Sequence, residues 1–314
     1  MFPSFESILP ILEPSFTEVN EQRKKTKNKQ LISILVVAII IIGIYVLSKN
    51  IFVVAIFSFL SLFLMRFIFN HMKYKFKKLY ADLLITKLID ALFQNYHSPE
   101  DDGEFTYYAY RPNEHITKHE IYQGNYFTQD YMLSGEDYIE GQLGNTSFKF
   151  SEIRLMDSGT REDDELTIVF EGVVFIADFN KSFEGSTYIY RRSRFGNTHA
   201  QAKSIGAFKI ELTDPDFNKE FLVMTTDDIE ARYILSTNFV RKLMDYSDTT
   251  DGTVEFAFVN DKMFIFRRTK KDQFSGELNN HHDEARLREI YEDFLAYFSI
   301  VDELTLNRRI WRKI

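Results

Sequence analysis

The sequence predicts an α+β protein: a two-helix transmembrane hairpin and a helical stalk, followed by a mainly antiparallel β domain with a packed C-terminal helix. Three observations lead there. Two long apolar runs stand almost side by side near the start of the chain. From about residue 105 the hydrophobic period shifts from helical spacing towards two. The chain then returns to helical spacing over about 282–304.

The apolar runs are LISILVVAIIIIGIYVL (31–47) and IFVVAIFSFLSLFLMRFIF (51–69), separated by Ser48, Lys49 and Asn50. At about 1.5 Å of rise per residue each reaches roughly 26–28 Å, close to the hydrocarbon thickness of a bilayer. Their length and near-absence of charge favour spans over a buried helical hairpin. The first run starts too late, is too long and is followed too soon by the second to be a signal peptide. Arg23, Lys24, Lys25, Lys27 and Lys29 precede the pair, Lys73, Lys75, Lys77 and Lys78 follow it, and the connection holds one Lys49. Cations concentrate on the cytoplasmic side, so both termini are expected in the cytoplasm, with the chain a multi-pass protein of the plasma (inner) membrane. Arg66 lies where it can snorkel to that interface. One charged side chain within the spans is too few for an ion pathway, which argues against a channel or ion-coupled transporter.

The organisation follows: a cytoplasmic N-terminal segment (1–30), the hairpin (31–69), a helical stalk (70–97) and a cytoplasmic α+β domain (105–314). Pro3, Pro10 and Pro14 limit helix length and predict that the first twenty residues form a short interfacial or domain-docking segment. Leu79, Leu83, Leu84, Leu88, Ile89, Leu92, Phe93 and Tyr96 recur at helical spacing and extend the second span as the stalk. HSPEDDGE (97–104) reads as the boundary loop. DYIEGQL and SFKFSEIRL flank Gly144, Asn145 and Thr146 as one β-hairpin. VEFAFV and KMFIF flank Asn260 and Asp261, a two-residue turn tolerant of positive φ, as another. LTIVFEGVVFIADF (166–179) is long for one strand, and Glu171-Gly172 predicts a bulge or bend in it. STYIYRR and KEFLVM supply further strands. Asp227, with Glu230 three residues on, predicts a capped helix, and Ser236 or Thr237 starts the next. In the final helix Leu287, Ile290, Tyr291, Phe294, Tyr297 and Phe298 share a face. Sandwich and partly open barrel both fit this pattern.

Charge and composition bound the function. Residues 1–80 carry 11 Lys+Arg and 4 Asp+Glu, net +7, whereas 81–314 carry 27 and 42, net −15. So acidic a domain repels a phosphate backbone, and no nucleic-acid partner is expected. With no cysteine, thiolate metal sites and cysteine nucleophiles are excluded. No phosphate loop, dinucleotide fingerprint, nucleophile elbow or kinase set is present, so no cofactor is expected.

Four groups could carry chemistry. Asp178, Asn180 and Lys181 end an apolar run, GVVFIADFNK, as either a ligand-binding cluster or a strand leaving the core through a turn. The run is apolar at every position from 173 to 177, which predicts a strand covered on both faces. His115 and His119 are four apart, as a helical zinc pair would be, but H-E-x-x-H is not met and no third ligand is identifiable, so no metal site is expected. Arg191, Arg192 and Arg194, with Arg267, Arg268, Lys270 and Lys271, are basic islands that could bind a phosphate, a lipid headgroup or an acidic partner, or simply balance neighbouring carboxylates. Glu162, Asp163, Asp164 and Glu165 lack calcium-loop spacing and read as a solvated turn.

DYIEG (137–141), FSEI (150–153), FEGVVFIADFNKSFEGSTYI (170–189), DIEARYIL (228–235) and LNRRIW (306–311) together resemble a bacterial family of unknown function, domain family 3137. The likeness covers roughly 130–312 by motif and the hairpin by layout. It implies two N-terminal membrane helices before a cytoplasmic domain, and brings no established activity, ligand or catalytic residue. Ser236-Thr237-Asn238 departs from the expected pattern, which has Pro near the third position. The leading reading is a membrane-anchored, non-enzymatic binding or scaffolding module with a protein partner. An enzyme using Asp178, Lys181, Glu152 or the two histidines, and a lipid- or phosphate-sensing domain, stay open as alternatives.

Overall fold

The computed structural model describes residues 2–96, 105–127, 129–143, 146–159, 166–178, 183–192, 200–270, 274, 276, 278 and 284–306. The chain forms two compact units. One comprises Pro3–Leu92 and Phe274–Ile290; the other comprises Met1–Phe2, Phe93–Gln273 and Tyr291–Ile314.

The first unit is helical. α1 (Phe5–Ser48) starts at Ser4, whose hydroxyl accepts from the Ser7 N–H, and runs unbroken through Pro10 and Pro14. This corrects the expectation of a short segment. Phe5, Ile8, Leu12, Ser15 and Val19 are buried at alternating three- and four-residue spacing, while both prolines lie on the exposed side. The buried stripe outweighs a cost of about 3 kcal/mol for each interior proline. Lys49 ends α1 in the left-handed region, and the Asn50 side chain caps α2 (Ile51–Tyr80) by accepting from the Phe52 N–H at 2.9 Å. The helix continues through a π-helical stretch, Ala81–Ile85, into α3 (Thr86–Gln94), as the stalk reading expected. The most apolar windows of these two long helices are wholly uncovered, and both are long and apolar enough to cross a membrane. The helices thus suggest membrane association.

Among the described residues, the second unit is built on one nine-stranded sheet whose pairings are all antiparallel, in the order β1-β2-β3-β4-β9-β8-β5-β7-β6. The strands are β1 (Phe105–Arg111), β2 (Met132–Leu143), β3 (Thr146–Asp157), β4 (Thr167–Asp178), β5 (Ser186–Arg191), β6 (Phe208–Ile210), β7 (Phe221–Thr225), β8 (Thr253–Val259) and β9 (Lys262–Arg268). All of them belong to one sheet, which sets aside the two-sheet sandwich. Both expected hairpins form: Leu143 faces Thr146, and Val259 faces Lys262 across Asn260 at φ 58°. In the long strand β4 the register slips by one residue at Val169, opposite Leu155 and Met156. Gly172 then bends the strand at φ 147°; a Cβ there would lie 2.0 Å from the Arg267 carbonyl oxygen. Pairing with β9 starts at this glycine, so β4 becomes a central strand from Gly172 onward.

Residues 173–177 are all buried, as their composition predicts, because both faces of the sheet are covered. Phe175 meets Tyr297 and Phe298 of α9 (Glu284–Leu306), and Phe148 and Phe150 pack on the same helix. On that face α8 (Thr237–Thr249), capped by Ser236, sets Phe239 and Tyr246 against Phe258 and Phe256. Across the sheet, Val174, Ile176, Phe264 and Phe266 join a core closed by Ile121 of α4 (Lys118–Tyr122) and by Phe127 and Tyr131. Short helices α5 (Ala200–Ser204), α6 (Pro215–Glu220) and α7 (Asp228–Ile234) fill the connections. Asp227 caps α7 by accepting from the Glu230 N–H; the Glu230 carboxylate turns instead to the Glu184 and Gly185 N–H groups, at 3.2 and 2.8 Å.

Candidate functional site

Strand alternation decides where each candidate residue points. Arg191 ends β5 on the α8 side: its guanidinium pairs with Glu220 at 2.7 Å, donates to Ser247 Oγ at 3.0 Å and lies 4.9 Å from the Phe221 ring centroid. Arg192 Nε donates to the Asn218 and Phe221 carbonyls at 2.8 and 3.0 Å. Asp178, at the end of β4, accepts a hydrogen bond from Ser147 Oγ on the neighbouring strand β3. Lys181 and Arg194, and with them Asn180, Lys271 and residues 162–165, lie outside the described residues.

The second basic island divides by parity. Arg267 points to the α9 side and is 1% exposed; it pairs with Asp293 at 3.0 Å, reaches Tyr297 Oη at 3.4 Å and donates to the Asp251 carbonyl at 2.9 Å. Arg268, one residue on, points to the opposite core, donates to the Val169 carbonyl at 2.6 Å and lies over the Phe170 ring. The two histidines do not share a helical face. His115 precedes α4, whose N-cap is Thr117, and its Nδ1 lies 2.9 Å from the Ile116 carbonyl oxygen; His119 sits within the helix beside Gln123.

Two arrangements carry no signal that the sequence made legible. Among the described residues, Glu136, Asp137 and Glu152 bring one carboxylate oxygen each within 4.8 Å of one another, a donor set of the kind a hard cation takes. They meet because the β2–β3 register shifts between Glu136 and Ile139, with Asp137 at φ 58°. Tyr110 donates to Asp137 Oδ1 at 2.5 Å, and burial together with that carboxylate pushes the phenol well above its ordinary value. On β8, Glu255 is 5% exposed, accepts from Tyr126 Oη and receives the Arg191 N–H at 3.3 Å. Burial raises its carboxyl to about 7, against the opposing pull of Arg268 and of that N–H. Tyr126 also stacks on Phe266, so the acid lies under an aromatic cover.

Two long apolar helices followed by an antiparallel α+β domain define a class of protein with candidate membrane anchors. More particularly, residues 168–306 match the family model DUF3137, a protein family of unknown function, so the resemblance carried by the sequence motifs holds over the C-terminal strands and helices. No curated protein matches the chain. Among solved structures, the crystal structure of the mycobacterial trehalose monomycolate transport factor A, TtfA, aligns at 9% identity over 60% of this chain and 84% of that one, with a TM-score of 0.30.

Proposed function

We propose that this protein is a membrane-anchored, non-enzymatic binding module whose sheet domain holds a protein partner at the cytoplasmic face of the inner membrane. One observation carries the reading. Among the described residues, four of the charged side chains that the sequence offered for chemistry are held by neighbours: Arg191 by Glu220, Arg192 by two carbonyls, Asp178 by Ser147 and Arg267 by Asp293. Groups held this way support a scaffold more readily than a reaction centre, since each is tied to a fixed neighbour. The uncovered apolar helices support the anchor, and the basic residues at both ends of the hairpin support cytoplasmic termini.

The reading is tested by crosslinking in intact membranes, comparing the full chain with a version ending before Phe105. A partner captured only by the full chain is the expected result. Equal capture by both would sink the module reading. A reporter active only outside the cytoplasm, fused after Ile314, is expected to stay silent.

A further inference from the structure

From Gln22 to Ala81 the chain carries eleven Lys and Arg residues and no Asp or Glu. Most of these cations gather at one level of the helical unit. α1 and α2 pack against each other and are joined by Lys49 and Asn50, so residues equally far from that turn lie at similar heights. Lys25 is 24 residues before Lys49, and Tyr74 is 24 after Asn50, between Lys73 and Lys75. Both helices are continuous over this length, which puts that level about 36 Å from the turn. Lys29 lies at about 30 Å by the same measure. A hydrocarbon core is about 30 Å thick, so a turn at one edge of it leaves this level among the headgroups at the other.

Six of the cations there face outward, whereas Arg23 is buried. Lys24, Lys25, Lys29, Lys73, Lys75 and Lys78 are all exposed. Lys25 pairs with Glu21 at 3.7 Å, and that pair is itself exposed on both sides. Directly towards the turn the same helices present uncovered apolar side chains, Ile32 and Leu35 on α1 and Leu64 and Phe67 on α2. An acyl chain fits the second surface and a phosphate fits the first.

Resting on the reading that the hairpin spans the bilayer, we propose that this basic collar is a binding surface for anionic phospholipids, with the phosphate held by the lysines and the acyl chains laid on the apolar helix surface. Charge complementarity selects the headgroup, and the adjoining apolar surface selects a lipid over free phosphate. The collar then works as a lipid-specific seat for the anchor, separate from Arg191 and Arg192 in the sheet domain.

The test uses the full chain purified in a non-ionic detergent. Dioleoylphosphatidylglycerol and dioleoylphosphatidylcholine are titrated separately, with glycerol 3-phosphate as the headgroup alone and native mass spectrometry as the readout. Phosphatidylglycerol is expected to bind more tightly than phosphatidylcholine. Neutralising each lysine is expected to weaken it about fivefold, so Lys73→Gln/Lys75→Gln/Lys78→Gln loses on the order of a hundredfold. The independent set Lys24→Gln/Lys25→Gln/Lys29→Gln loses a similar factor, and Lys49→Gln at the turn leaves binding unchanged. Helical circular dichroism checks that each variant is folded. Equal affinity for the two lipids, a phosphatidylglycerol preference that survives both triple changes, or displacement of the lipid by glycerol 3-phosphate would each overturn the proposal. Alkaline carbonate extraction separates this from the anchor reading: release of the chain from membranes overturns both, while retention without a lipid preference overturns the collar alone.

Discussion

Residues 31–47 of α1 and residues 173–177 of β4 are both unbroken apolar runs, and they meet opposite fates. Ile39 on α1 is 69% exposed, whereas Phe175 on β4 is wholly enclosed by Tyr297, Phe298 and the neighbouring strands. The helix closes its own backbone hydrogen bonds and can leave every side chain to a lipid solvent. A strand cannot, so β4 needs β3 and β9 at its edges and a covering layer on each face. Apolar composition therefore sets the demand for burial, and the backbone decides whether protein or membrane must meet it.

The sharpest way to break this contrast is to truncate one side chain from each run. Phe175→Ala is expected to lower the stability of the sheet unit by about 3–5 kcal/mol, the usual cost of an unfilled aromatic core site. Chemical denaturation of the full chain in detergent, read from the sheet signal, measures it. Asp293→Ala, which strands the buried Arg267 guanidinium without its carboxylate, is expected to cost a comparable 3–5 kcal/mol on the same face. Retention of full stability by either variant would mean that α9 does not hold that face.

Glu255 probes the opposite face through pH. Its carboxyl is raised from 4.5 to about 7, so the folded state keeps a proton that the unfolded state releases. Its stabilisation is complete below pH 4.5 and is lost as pH rises to about 7, amounting to about 3 kcal/mol. Thermal unfolding of Glu255→Gln against the parent between pH 4.5 and 8 is expected to remove that decline, leaving the variant the more stable at alkaline pH. Parallel curves would show that burial does not govern this acid. Ser236→Ala removes the α8 cap and is expected to cost about 1 kcal/mol by the same denaturation measurement. Ile39→Ala, on the uncovered helix, closes the series with an effect on the sheet unit of less than about 0.5 kcal/mol.

The parts that were legible in the sequence are those decided within a few residues. Asn260 supports a tight turn because Asn tolerates positive φ, and the face of α9 follows from helical spacing. Glu171-Gly172 predicts an irregularity in β4 two to three positions from Val169, where the slip occurs, because Gly172 marks the bend rather than the bulge. α6 went unread although its signals are local: Asp214 caps it and Pro215 opens it. Non-local arrangements were not legible. The burial of Phe5, Ile8, Leu12, Ser15 and Val19, which carries α1 through Pro10 and Pro14, depends on partners outside that segment. The strand order joins β4 to β9 and β5 to both β7 and β8, which no local pattern encodes, and a single sheet was thus indistinguishable from a sandwich. The candidate site suffered in the same way. Arg267 and Arg268 are adjacent in sequence and look like one basic island, yet strand alternation sends one to Asp293 and the other to the opposite core.

That strand order also imposes a schedule on synthesis. β4 ends at Asp178, and the strand that seals its second edge starts at Lys262, 84 residues later. At the usual rate of about 5–20 residues per second, the ribosome takes roughly 4–17 s to deliver that partner. Throughout that interval a strand with an apolar run at 173–177 has one open edge, a state prone to pair with another chain. The edge of β4 from Gly172 onward thus lacks its native partner until the β8–β9 hairpin arrives.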